Sequence, residues 1–139
     1  MAGAILRDLL AGREAEFVVE TAGLGAEPGL GAESDAVAVL REQGLDLSGH
    51  RTRRLEAQMV AEADLILTMT RSHKQQVLRL HPRAAEKTFT LLEFAYDDRE
   101  SDVEDPFGRG HDTYRRTAQE LRRALTSVVD KLLSDPLAD

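Results

Sequence analysis

Asp105-Pro106-Phe107-Gly108 is the stretch of this sequence best suited to chemistry. Asp105 brings a carboxyl group to a polar loop over 96–110. Such a group suits general acid–base work. Asp-Pro is also a common turn dipeptide and carries no function by itself. Four histidines could titrate near neutrality: His50, His73, His81 and His111. None forms an HxxxH or HExxH pair, so no metal site is expected. Read alone, His50 is a loop histidine bonded to backbone, and the other three are solvated surface residues. The sequence holds no cysteine. Thiol nucleophiles, disulfides, thiolate zinc sites and iron–sulfur clusters therefore cannot be built from these residues. The glycine-rich stretch Thr21 to Gly31 has no lysine after its glycines and no GxGxxG pattern. It reads as a turn-rich connection and not as a Walker-type phosphate cradle.

The chain that must position these residues has 139 residues and a mass of 15.4 kDa. One domain over 1–139 is expected, large enough to bury roughly 70% of the surface its unfolded form exposes. Apolar residues make up 42% and charged residues 31%, as in an ordinary globular protein. No apolar run approaches the ~20 residues that span a bilayer. The start, Met1 to Asp8, lacks a basic leader and a long apolar stretch, so a signal peptide is not expected and a cytoplasmic location is. The net charge of −7 comes from 18 basic and 25 acidic residues. Nucleic acid and anionic membranes are poor partners for such a chain. Three basic clusters stand out: Arg51/Arg53/Arg54, Arg71/Lys74 and Arg115/Arg116/Arg122/Arg123. Such clusters read first as solvated faces, with attraction of phosphoproteins as the functional alternative.

Apolar spacing predicts a helix over 2–11, with Ile5, Leu6, Leu9 and Leu10 on one face and Gly12 as its stop. This helix has no room for an N-cap. A short strand follows at about 16–21. Ser34 is placed to cap a helix over 35–43 that Gly44 ends, and a third short helix is expected over 54–62. Asp64 to Met69 is the clearest strand. Its non-alternating apolar run suits a strand covered on both faces. Thr70 caps a helix over 71–80 that Pro82 terminates. A strand is expected over 88–92, a polar loop over 96–110, and a long amphipathic helix over 112–133 with Tyr114, Leu121, Leu125, Val128 and Leu132 inward. Strands alternating with helices imply an α/β fold with a parallel sheet.

Several segments, in order, resemble one family. They are Thr21-Ala22-Gly23, the stretch Ala36 to Arg51, the run Ala63 to Thr70, and Asp105-Pro106-Phe107-Gly108 followed by Tyr114. The chain resembles the low-molecular-weight protein tyrosine phosphatases, including their bacterial protein arginine phosphatase branch. The resemblance implies a three-layer α/β/α fold on a four-stranded parallel sheet of order 2-1-3-4. It implies hydrolysis of phosphoprotein phosphate through a cysteinyl-phosphate, with no metal or cofactor. Members begin with a strand leading into a Cys-x5-Arg-Ser/Thr-Pro loop. Here the sequence starts where that loop would end, so the first strand, the nucleophile and the phosphate-gripping Arg are absent. By resemblance Asp105 is the general acid, Pro106 stiffens its loop and Phe107 lines the substrate cleft. His50 would support the phosphate loop, and Tyr114 would pack near the acid.

Three readings follow. The first is a phosphatase whose start lies upstream of Met1. The second is a Cys-free pseudophosphatase acting as a binding module, its unpaired sheet edges prone to self-association. The third is a relative of the arsenate reductases. It is disfavoured because residues 60–90 carry no relay cysteine. In either of the first two, the chain as given is expected to be inactive as a phosphatase. Gly after the aromatic in Asp105-Pro106-Phe107-Gly108 leans toward phosphoarginine over phosphotyrosine.

Overall fold

The computed structural model describes residues 1–24, 29 and 31–134. Part of the glycine-rich stretch, at 25–28 and 30, lies outside them. The chain opens in helix α1 (Ala2–Leu9), with Met1 at its N-cap and no side chain serving its first turn. Helix α2 (Ser34–Glu42) follows, then α3 (Ala57–Glu62). Strand β1 (Ile66–Thr68) leads into α4 (Arg71–Leu80), a 3₁₀ helix (Pro82–Lys87) and strand β2 (Thr88–Thr90). Helix α5 (Leu91–Tyr96) and the long α6 (His111–Ser134) complete the chain.

β1 and β2 pair in parallel, Ile66 opposite Thr88 and Thr68 opposite Thr90. Parallel strands joined through α4 fit the α/β class read from the alternation of elements. The strand expected at 16–21 is not formed. Phe17, Val19 and Thr21 are half-buried while Val18 and Glu20 are exposed, so the alternation of a strand is present. Alternation settles which side faces inward, but a ladder also needs a neighbour's backbone. Val19 O instead accepts from the Arg7 guanidinium at 2.6 Å. Only isolated bridges form nearby, Gly23 with Arg54 and Gly31 with Arg51. The sheet among the described residues therefore has two strands, not three.

Other boundaries moved for local reasons. Glu33 caps α2 in place of Ser34, its carboxylate accepting from Asp35 N at 2.8 Å. Thr70 caps α4 as expected, accepting from His73 N at 3.1 Å. The strand expected over 88–92 stops at Thr90, because Thr90 and Glu93 form a reciprocal capping box that starts α5. Arg54 is engaged in its bridge, and α3 begins only at Ala57.

α6 is the hub. Its inward stripe, Tyr114, Leu121, Leu125, Val128 and Leu132, is buried as the spacing predicts. It joins Ile5 of α1, Val39 and Leu40 of α2, and Leu91 of α5 in one apolar cluster. α4 and α5 pack on the sheet. Among the described residues no helix is long and apolar enough to cross a membrane.

Gly3 shows how closely α1 is seated. It is buried, and a Cβ there would collide with Cγ2 of Thr21. Gly3→Ala should cost about 1–3 kcal/mol through overpacking, despite the ~1 kcal/mol gain in helix propensity. Thr21→Ser removes that methyl and should restore most of the loss in the double variant. Urea unfolding of the three variants checks this, and an unchanged midpoint for Gly3→Ala would contradict it.

Candidate active site

Residues 97–110 join α5 to α6 with no regular element, and they are tied down at both ends. At the first end, Asp102 Oδ1 accepts from Arg71 N at 2.9 Å and from Arg71 Nε at 3.1 Å. The first of these serves one of the free N–H groups at the start of α4. Hydrogen bonds from the Arg71 side chain and backbone hold the Asp102 carboxyl below its ordinary range. Next along the chain, Val103 N donates to Met69 O at 2.9 Å and the Val103 side chain is buried. The loop thus hangs from the end of β1 and the first turn of α4.

At the second end, Tyr114 N donates to Gly110 O at 3.2 Å and the Tyr114 side chain is 3% exposed. Its hydroxyl is hydrogen-bonded to the Glu33 carboxylate. Burial first, then that bond and the charges of Glu33 and Asp105, push the phenol well above its usual range. For Glu33, burial works to raise the carboxyl. The bonds from Tyr114, Asp35 N, Ala36 N and the Ser34 hydroxyl prevail and hold it low. A carboxylate at the start of α2 also meets the positive end of the helix dipole. Beside it, His111 Nδ1 lies 2.7 Å from Asp35 Oδ1. His111 is therefore not the merely solvated residue expected, since it ties the start of α6 to the start of α2.

Between these ends lies the turn. Asp105 is exposed, and its Oδ1 accepts from Phe107 N at 3.1 Å. Its other carboxylate oxygen has no hydrogen bond among the described residues. Pro106 is buried and its carbonyl accepts from Arg109 N at 3.0 Å. Gly108 has φ +77, a left-handed conformation that strains any side chain with a Cβ. Phe107 stands out into solvent, 68% exposed. The Asp105 charge is felt at the Tyr114 phenol, so the acid and its underlying tyrosine are electrostatic neighbours. An outward carboxyl on a turn fixed at both ends can deliver or take a proton at a set position, with an aromatic face alongside.

His50 lies elsewhere. It is half-buried, and its backbone N donates to Leu47 O at 3.1 Å. Burial first, then the positive charges of the chain's amino terminus, Arg7 and Arg51, hold the imidazole below its ordinary 6.5. That places it by the start of α1, neutral at pH 7. No hydrogen bond or ion pair joins it to Asp105 among the described residues. Of the five residues expected from sequence, three share the turn, Tyr114 supports it and His50 is separate. Glu33 and Asp102 were not foreseen, and Arg71 was read only as part of a basic cluster. The Glu33-Ser34-Asp35 run before a helix was a readable capping signal, whereas nothing local marked Asp102 as Arg71's partner. No group of three or more His, Cys, Asp or Glu side chains able to hold a metal gathers among the described residues.

Two outcomes are expected. Tyr114→Phe removes one bond from Glu33, which keeps its backbone donors, and should cost about 0.5–1.5 kcal/mol in urea unfolding. The second concerns pH. His50 binds its proton less readily folded than unfolded, so its contribution is intact above pH 6.5. The contribution falls as the pH drops below that value and the unfolded chain protonates first. His50→Gln should therefore lose less thermal stability than the parent between pH 7.5 and 5.5, by about 1–2 °C in Tm. Identical losses would refute this.

With the geometry established, the chain can be set beside known proteins. The family description "Low molecular weight phosphotyrosine protein phosphatase" matches residues 1–136. A protein-arginine-phosphatase of Geobacillus stearothermophilus is 34% identical over 117 residues, covering 84% of this chain and 78% of that protein. A probable low molecular weight protein-tyrosine-phosphatase of Ralstonia nicotianae is 32% identical over 132 residues, covering 95% and 86%. In three dimensions, the arginine phosphatase structure from Geobacillus stearothermophilus superposes with a TM-score of 0.90 at 32% identity. That superposition covers 98% of this chain and 85% of that one.

Proposed function

Since this chain belongs to the low molecular weight phosphotyrosine protein phosphatase family, we propose that the Asp105 turn is the proton-donating part of a phosphoprotein phosphatase site. The observation that carries this reading is the outward Asp105 carboxyl on a turn pinned by Arg71–Asp102 on one side and Tyr114–Glu33 on the other. In the family reaction a thiolate attacks phosphorus and the P–O or P–N bond to the substrate breaks. Asp105 then gives its proton to the leaving atom. As carboxylate it next takes a proton from the water that hydrolyses the phosphoenzyme. Pro106 limits the turn's freedom, and Phe107 offers an apolar wall to the substrate side chain.

None of the 139 residues is a cysteine. Turnover by this route therefore needs a thiolate, with its phosphate-binding N–H groups and arginine, from outside them. On their own these residues are a scaffold with a positioned acid. Phosphoarginine is the substrate to try first. Gly108 at φ +77 disfavours a second aromatic after Phe107, which leaves a single ring to face the phosphorylated side chain. A Cys-free pseudophosphatase that binds without hydrolysing is the second reading, favoured by the same missing thiol.

The 139-residue chain should release phosphate from p-nitrophenyl phosphate no faster than buffer. A chimera carrying the N-terminal segment of the Geobacillus relative ahead of Met1 should be active. In it, Asp105→Asn should lower kcat by about 10²–10⁴-fold and abolish the acid-dependent limb of the pH profile. An active chimera indifferent to Asp105→Asn would overturn the assignment. A folded but inactive chimera would favour the binding module.

A further inference from the structure

Away from the Asp105 turn, α4 and the start of α5 enclose an open cleft of about 630 Å³. That lies within the roughly 300–1,000 Å³ typical of ligand sites. Arg71, Lys74, Leu78 and Arg79 line it from α4, at spacings that bring them onto one helical face. Arg99 lines it from beyond α5, and Glu93 is its one lining carboxylate. The sequence marks Arg71 and Lys74 as a basic pair. The fold adds two more arginines to them, in a chain whose net charge is −7.

The cations differ in how far they are engaged. Arg71 Nε is held by Asp102 at 3.1 Å. Lys74 Nζ is held by Glu93 Oε1 at 2.8 Å, and the same oxygen serves the α5 capping box. The charges of Asp98 and Glu100 also act on Arg71. Asp98 itself is turned to the backbone N–H groups of Glu100 and Ser101, at 3.0 and 3.1 Å. Arg99 reaches Glu93 only at 3.8 Å and is 75% exposed. The Arg79 side chain has no ion pair or hydrogen bond among the described residues. Two guanidinium forks with open donors therefore border a cleft whose internal carboxylate is already satisfied.

We propose that this cleft binds an acidic peptide segment, with Arg79 and Arg99 gripping its Asp or Glu side chains. A guanidinium presents paired donors that match a carboxylate in planar, bidentate fashion. Leu78 and the aliphatic stems of Lys74 and Arg79 give the peptide backbone an apolar bed. The negative field of the rest of the chain works against a long polyanion such as nucleic acid. Arg71 borders the cleft and also anchors Asp102, so a docked segment would lie next to the support of the Asp105 loop.

The test reads binding alone, so its result is separable from the fate of the phosphatase reading. The full chain, labelled with ¹⁵N, is titrated with a glycine-flanked tetraglutamate peptide and, separately, with inorganic phosphate. Saturable shifts are expected in residues 71–79 and 90–99. Binding should weaken about tenfold in Arg79→Ala/Arg99→Ala and severalfold as salt rises from about 50 to 300 mM. Both positions are exposed, so the variant should keep its melting temperature. Arg79→Lys/Arg99→Lys should recover part of the affinity, and Arg116→Ala/Arg123→Ala on α6 should leave it unchanged. The proposal is overturned by any of three results: no saturable shifts, equal binding by the Arg79/Arg99 alanine variant, or equal affinity for phosphate alone at these residues.

Discussion

Helix α6 turns one apolar stripe toward α1, α2 and α5, and the arginines flanking that stripe meet the acids of α1 and α2. Leu121, Leu125, Val128 and Leu132 are buried, and so are Ala118 and Ala124. Each large side chain so buried contributes roughly 1.5–3 kcal/mol. Arg115 meets Glu42 at 2.8 Å and Arg122 meets Asp8 at 3.1 Å, at half-exposed positions. Ion pairs of that kind contribute ~1 kcal/mol or less. Burial therefore decides both that α6 docks and how it is turned about its axis, and the charged edge adds to that choice. That rotation is what brings Tyr114, at the first turn of the stripe, against Glu33.

The acid loop inherits its order from this docking. An exposed segment such as 97–110 would be free to sample many conformations at about 1–2 kcal/mol of entropy per residue fixed. Here its first part is held by Asp102 and Val103 against the end of β1 and the start of α4. Its last part is held by Tyr114 and His111 against the start of α2. Only the turn around Asp105 is left to order itself, through an Asx bond to Phe107 N and the buried Pro106 ring. The side chain that faces solvent is thus the least encumbered part of an otherwise tethered span.

The parts of this arrangement that were legible in the sequence are those that local rules determine. α6 follows from apolar spacing, α4 from Thr70 as a cap and Pro82 as a breaker, and β1 from an unbroken apolar run. Asp-Pro marked a turn, and only its place in the order of the resembling segments singled out Asp105. What was not legible depends on partners distant in sequence. Residues 16–21 carry a strand's alternation and no ladder. Glu33, not Ser34, caps α2, and its carboxylate also meets Tyr114 from α6. Asp102 finds Arg71 only because β1 delivers α4 to that place. α5 is a different failure: Thr90 and Glu93 spell a capping box, but Leu91 and Leu92, its first two residues, were read as the end of the preceding strand.

The supports of Asp105 come from several elements. Arg71 and Tyr114 lie in the first turns of α4 and α6, Met69 follows β1, Glu33 caps α2, and Pro106 is buried within the turn itself. None of them depends on His50, which sits by α1 among the positive charges of Arg7, Arg51 and the amino terminus. The role proposed for Asp105 needs a fixed position and an acceptor within reach, and these supports supply the first. Nucleophile and acid are then separable in folding terms, although chemistry requires both at once. The proposed reaction needs more than this positioned carboxyl, because positioning without a nucleophile lowers no barrier at phosphorus.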